Sequence, residues 1–162
     1  MLHLRIFTDG SVNAQLKVGY GAYLVVSDLN ASIDLLKDIV KVRRFEQTSS
    51  TKLELQTVLW SLEEVMVMAN ENDITLTVYT DSQNIVGLPG RRVRLEQSNY
   101  YSGKNRRLNN YELYQRFYRL TAKLNCAFVK VAGHQVSSKK DAIDRIFSLA
   151  DRASRHALRK NS

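Results

Sequence analysis

The sequence predicts an α/β fold: one mixed sheet of five strands, three antiparallel and then two parallel, with flanking helices. Three observations carry this. Short apolar segments separated by polar turns fill the first 46 residues. From Leu53 to Met66 the apolar residues change to helical spacing. Thereafter strand-like and helical segments alternate, and a helix between strands marks a crossover that makes the fourth and fifth strands parallel to the first.

Residues 2–8 and 18–26 read as strands joined by a polar turn containing Asn13. Gly19 and Gly21 flank Tyr20, the pattern of a strand that another element approaches closely. Residues 33–46, IDLLKDIVKVRRFE, give a looser third strand that completes a meander. After TSST (48–51), rich in capping residues, Leu53, Leu55, Val58, Leu59, Leu62, Val65 and Met66 define a helix running to about Ala69. ITLTVYT (74–80) alternates as the fourth strand. A short helix is expected after Asp81, broken at GLPG (87–90), which holds the only proline. NNYELYQRFYRLTAKLN (109–125) is an amphipathic helix and CAFVKVAG (126–133) the fifth strand. A last helix is expected from about Lys139 to Lys160.

A chain of 162 residues fits a single domain spanning 1–162, long enough to bury a core. No apolar run approaches a bilayer span and MLHLRIFTDG enters a strand directly, so neither a membrane partner nor a leader or preceding module is expected. Cys126, the only cysteine, excludes an internal disulfide and fits a reducing cytoplasm. It reads as a small buried hydrophobe. The net charge of +8, from 24 Lys and Arg against 16 Asp and Glu, predisposes the protein to polyanions such as nucleic acid. Residues 91–107 concentrate six basic side chains against one Glu, with Tyr100 and Tyr101 among them.

Asp9 ends the first predicted strand and Asp81 the fourth. If these are parallel neighbours, both carboxylates emerge at one sheet edge, where open α/β sheets place their sites. Two carboxylates held together repel unless a cation lies between them. Mg²⁺, hard and oxygen-seeking, suits such a pair. Glu54, in the first turn of the long helix, adds a third carboxylate. Alone it would read as a residue complementing the helix dipole; beside two strand-end aspartates it reads as part of the same site.

These residues resemble the ribonuclease H type I family. The resemblance is carried by FTDGS (7–11), GYGAYL (19–24), TKLELQTVLWSL (51–62), YTDSQ (79–83), NNYELYQRF (109–117) and VAGH (131–134), in order over nearly the whole chain. It implies an RNase H-like fold and an endonuclease that cuts the RNA strand of RNA–DNA hybrids, leaving 5′-phosphates. It also implies two Mg²⁺ ions about 4 Å apart, replaceable by Mn²⁺, one activating water and the other stabilising the departing 3′-oxygen. Asp9, Glu54 and Asp81 would be metal ligands. The fourth, on the last helix, would be Asp151 in SLADRASR, where small residues allow close approach, with Asp144 in KKDAIDRIF as the alternative. His134 takes the place of a loop histidine that handles protons or product release.

The resemblance also implies substrate contacts. Gly10, Ser11 and Gln83 match contacting positions. Ser50 and Thr51 stand where the family usually keeps asparagines, and hydroxyls there can still reach 2′-OH groups and base edges. The segment at about 88–108 falls where several members carry a basic protrusion. Arg91, Arg92, Arg94, Lys104, Arg106 and Arg107 would neutralise phosphates, and Tyr100 or Tyr101 would stack on sugars. No obligate protein partner is evident, and a monomer is expected. The competing reading is a silent hybrid-binding domain on the same fold; a DNA nuclease or recombinase is disfavoured by the combination TDGS, TDSQ and GH.

Overall fold

The computed structural model describes residues 2–69, 73–132 and 141–161. Its elements are β1 (Leu2–Asn13), β2 (Val18–Val26), α1 (Ile33–Lys37), β3 (Lys41–Glu46), α2 (Ser50–Ala69), β4 (Ile74–Thr80), α3 (Gln83–Gln97), α4 (Tyr111–Lys123), β5 (Asn125–Lys130) and α5 (Ala142–Lys160). The five strands form one sheet in the order β3-β2-β1-β4-β5. β1, β2 and β3 pair antiparallel, and β4 and β5 are parallel to β1. Among the described residues no helix is long and apolar enough to cross a membrane.

The period-2 alternation of β1 splits the core between two faces. Ile6 joins Leu76, Val78, Leu59, Leu62 and Phe117 under α2 and α4. Phe7 points the other way, into a cluster with Leu24, Val26, Phe147 and Ala150 under α5. Its ring stacks on Tyr79 with centroids 4.7 Å apart.

Three expectations are corrected. Residues 33–46 are not one strand: Ile33–Lys37 is a helical turn with Asp34 in its first turn and Leu36 buried, and only Lys41–Glu46 pairs with β2. Leu35 and Leu36 lie side by side, which breaks the alternation a strand requires. The helix after Asp81 does not stop at GLPG but continues as α3 to Gln97, with Pro89 inside it. Burial overrides the propensity penalty of Gly and Pro: Ile85 and Leu88 are completely buried, and the Tyr118 hydroxyl donates to the Leu88 carbonyl at 2.7 Å. The third concerns Tyr100, which does not present its ring to a ligand. It follows α3 with φ 64° and is buried in the core.

Why α2 lies where it does is written in the glycines of β1 and β2. A Cβ on Gly10 would come within 2.9 Å of Leu53 Cδ2, on Gly19 within 2.6 Å of the same atom, and on Gly21 within 2.2 Å of Thr57 Oγ1. None of them has positive φ, so they are there for space rather than conformation. Thr57 cannot turn aside freely, because its hydroxyl donates to the Leu53 carbonyl at 2.7 Å.

Gly21→Ala is therefore expected to cost about 1–3 kcal/mol of stability through overpacking. Thr57→Ala in the same chain should recover part of that loss. Gly87→Ala, where a Cβ would meet nothing within 4 Å, should gain about 0.5–1 kcal/mol in mid-helix. Urea midpoints of the four proteins check both signs.

Candidate active site

Asp9 does not terminate its strand. β1 runs on to Asn13, still paired to β2 through Asp9↔Ala22 and Gly10↔Gly21. What ends is the pairing with β4, whose last couple is Phe7↔Tyr79. Asp9 and Asp81 each come two residues after that couple, Asp81 just past the end of β4, so the register brings both to the same edge of the sheet, where the Asp81 charge acts on Asp9. The turn chemistry belongs further on, where Asn13 Oδ1 accepts from the amides of Gln15 and Leu16, both at 3.1 Å.

Glu54 arrives from α2. Ser49 caps this helix, its Oγ accepting from Lys52 N at 3.3 Å, so the helix starts at Ser50 and its first turn holds no acidic residue. Glu54 thus lies beyond the turn in which the helix dipole acts, and dipole complementation does not account for it. Ser82 holds it: Ser82 Oγ donates to Glu54 Oε2 at 2.7 Å while accepting from Ile85 N at 3.2 Å as the N-cap of α3. The carboxylates line one crevice with three threonines, the residues being Thr8, Asp9, Glu54, Thr57, Thr80 and Asp81.

Of the two aspartates on α5, Asp151 is the one beside Asp9, close enough to raise the Asp9 carboxyl through hydrogen bonding and charge. Asp144 is engaged at the N-terminus of α5, in a capping box with Asp141. Asp151 is also paired with Arg155 one turn on. His134 lies outside the described residues.

Charge is concentrated along the series Glu54, Asp81, Asp9 and Asp151. The Asp9 carboxyl is pushed up to about 8, first by burial, then by the Asp81 charge, with the Asp151 hydrogen bond and charge adding; a backbone hydrogen bond at Gly10 opposes them. Glu54 is raised by burial and by Asp81, against the lowering effect of its bond from Ser82. An all-oxygen set of carboxylates and hydroxyls whose charges oppose one another is the donor chemistry of a hard divalent cation. Among the described residues no three His, Cys, Asp or Glu side chains close around a single point. Glu54 accepts from Ser82, and Asp151 pairs with Arg155. The donor set fits such a cation.

The predicted substrate residues divide into groups. Ser50, Thr51 and Gln83 are exposed near the carboxylates, at the starts of α2 and α3. Gly10 is occupied on its helix side by Leu53, and the Ser11 hydroxyl is 3.1 Å from that of Ser154. Arg91, Arg92 and Arg94 belong to α3 rather than to a loop. Arg91 is half-buried, donating to Asn84 Oδ1 at 3.0 Å and lying over the Tyr114 ring at 5.9 Å. Arg92 pairs with Glu96 at 2.6 Å. Lys104, Arg106 and Arg107 are exposed, Arg107 lying over Tyr101 at 5.2 Å and Tyr111 at 4.8 Å. Cys126 is half-buried, its thiol pushed up to about 11 by burial, which makes it a poor nucleophile. Sequence reasoning missed Ser82 and Arg155. Their signals were present, a serine between a strand-end Asp and a helix, and an Arg four residues after Asp151.

The sequence model of the RNase H family matches residues 2–154. No curated protein matches the chain. Among solved structures, LC11-RNase H1, isolated from compost by a metagenomic approach, is similar with a TM-score of 0.64 at 17% identity, over 98% of this chain and 99% of that one. The same compost protein in complex with an RNA/DNA hybrid gives 0.61 at 16% identity, over 96% and 99%. LC9-RNase H1, a type 1 RNase H with the type 2 active-site motif, gives 0.68 at 17% identity, over 99% and 74%. At these identities the likeness is one of fold.

Between the ordinary carboxylate range near 4 and about 8, folded Asp9 keeps a proton that the unfolded chain has released. The folded state then binds more protons than the unfolded one, so stability in EDTA falls as pH rises through that window. Asp9→Asn removes this contribution and should gain on the parent protein progressively from about pH 5 to 8. Urea midpoints across that range check it; parallel slopes in the two proteins would show that no such repulsion exists.

Proposed function

The chain belongs to the RNase H family, and on that premise we propose that it hydrolyses the RNA strand of RNA–DNA hybrids. The observation that carries the reading is the meeting of Asp9, Asp81 and Asp151, with Glu54 behind Asp81, at the end of the β1–β4 pairing. The substrate class is supported by the hybrid held by the similar compost protein and by the excess of basic residues here.

In this reading Asp9, Glu54, Asp81 and Asp151 hold Mg²⁺, for which Mn²⁺ can substitute. When bound there, divalent ions lower the pKa of the attacking water and offset charge on the departing 3′-oxygen. Asp9, beside both Asp81 and Asp151, would be one of the residues holding the ions, and would do so as a carboxylate. Ser50, Thr51 and Gln83 lie at the exposed helix starts that flank the site and meet the minor groove and 2′-OH groups. The basic surface of α3 and residues 104–107 grips backbone phosphates, with Arg91 held in place by Asn84 and Tyr114. His134 is assigned to proton handling. Asp144, committed to its capping box, is left out of the cage.

A second reading, a hybrid-binding domain without cleavage, is favoured by one observation: no three of the described acidic side chains close around a point. Four matched substrates separate the two: RNA–DNA, RNA–RNA, DNA–DNA and single-stranded RNA, each with Mg²⁺ and with EDTA. Cutting confined to the RNA of the hybrid, requiring Mg²⁺ and abolished in Asp9→Asn, is the expected result. Asp151→Asn should be as inactive, and Asp144→Asn should lose only stability. Hybrid bound at low salt but never cut would establish the second reading.

Binding should weaken steeply with salt. Arg106→Ala is expected to lower the slope of log affinity against log salt by about 1, the signature of one lost phosphate contact. Fluorescence anisotropy on a labelled hybrid at several salt concentrations measures it; an unchanged slope would place Arg106 off the backbone path.

A further inference from the structure

Helix α5 is held to the sheet in two different ways along its length. Its first half is anchored by Ile146, Phe147, Leu149 and Ala150 in the apolar cluster around Phe7. Beyond Asp151, the completely buried residue is a serine, Ser154. Its hydroxyl donates to the Asp151 carbonyl oxygen at 3.0 Å. A hydroxyl has one proton to give, so across the 3.1 Å contact between them the donor is Ser11. Ser11 follows Asp9 by two residues on the same face of β1, and Ser154 follows Asp151 by one turn of α5. The two serines thus join the same two elements as the two aspartates, one step further along each.

We propose that Ser11 and Ser154 form a positioning clamp that fixes how α5 lies on β1 and thereby holds Asp151 against Asp9. Apolar packing fixes the distance between helix and sheet but tolerates small slides, whereas a hydrogen bond is directional, and the buried Ser154 hydroxyl makes this one costly to lose. The small side chains at this crossing, Ala150, Ala153 and Ser154, allow the approach that a single hydroxyl pair can span. Ser11 therefore has a partner inside the protein. The inference rests on the reading of the four carboxylates as metal ligands. It concerns residues that set those ligands rather than bind the ion.

The test is a Mg²⁺ titration of the chelator-washed full chain, followed by thermal unfolding. The parent should be stabilised by Mg²⁺ and Asp9→Asn should not. Ser154→Ala should bind Mg²⁺ roughly tenfold more weakly, as expected for a residue supporting a ligand. Ser11→Ala should match it, and the double variant should be no worse than either, since the two share one interaction. Ser148→Ala removes another buried serine hydroxyl from α5, one bonded to the Asp144 carbonyl at 2.9 Å, and should keep the parental Mg²⁺ affinity. Parental affinity in Ser154→Ala and Ser11→Ala, or an equal loss in Ser148→Ala, would overturn the clamp. Should Ser154→Ala fail to fold, Ser11→Ala alone decides. If the parent gains nothing from Mg²⁺, or Asp9→Asn gains as much, the metal reading fails first and the clamp with it.

Discussion

Helix α2 lies against the sheet over Gly10, Gly19 and Gly21, where the absence of a Cβ leaves Leu53 and Thr57 in contact with strand backbone. That approach fixes the height of the helix's second turn, and Glu54 occupies that turn between Leu53 and Leu55, both buried. Any side chain at Gly21 would lift the helix or displace Thr57, and Glu54 would move with it. The parallel register of β1 and β4 does the same service for Asp9 and Asp81. The site is therefore a consequence of core packing on one side of the sheet and strand pairing within it. α5 contributes its carboxylate from the opposite face.

The electrostatic consequence is a group of like charges held together in half-buried positions. Proteins avoid such arrangements unless something offsets the repulsion. Here the offsets are local. A proton is retained on Asp9, Ser82 donates to Glu54, and the Arg155 guanidinium lies on Asp151. Each offsets part of the repulsion among the carboxylates. Ser82 ties this arrangement to the fold, because the same oxygen that bonds Glu54 caps α3. α3 in turn carries Arg91, Arg92 and Arg94. The helix that carries these three arginines thus begins beside the carboxylates, so the spacing between the two is set by a rigid element.

Much of this was legible in the chain. Alternation and helical spacing placed β2, β4, β5, α2, α4 and α5 to within a few residues, because burial on one face imposes those periods directly. The two aspartates were visible because each follows an apolar run. Residues 33–46 misled because apolar content was read as a strand although Leu35 and Leu36 break the alternation. GLPG misled because its local penalty is small beside the burial of Ile85 and Leu88, which no local window shows. Tyr100 misled because a basic neighbourhood says nothing about which way one ring turns.

By itself, then, the sequence determined the order and pairing sense of the strands, the carboxylates worth watching, and the basic character of the segment after Asp81. These follow from periodicity and charge, which are local. Only the tertiary structure decided that Asp151 rather than Asp144 stands beside Asp9, that Ser11 faces Ser154, and that Gly21 serves Thr57. Two aspartates seven residues apart share a helix face, and the small residues around Asp151 favour it but do not by themselves distinguish the two. Where α5 crosses β1 does, and that crossing is set by side chains on elements remote from it in the chain.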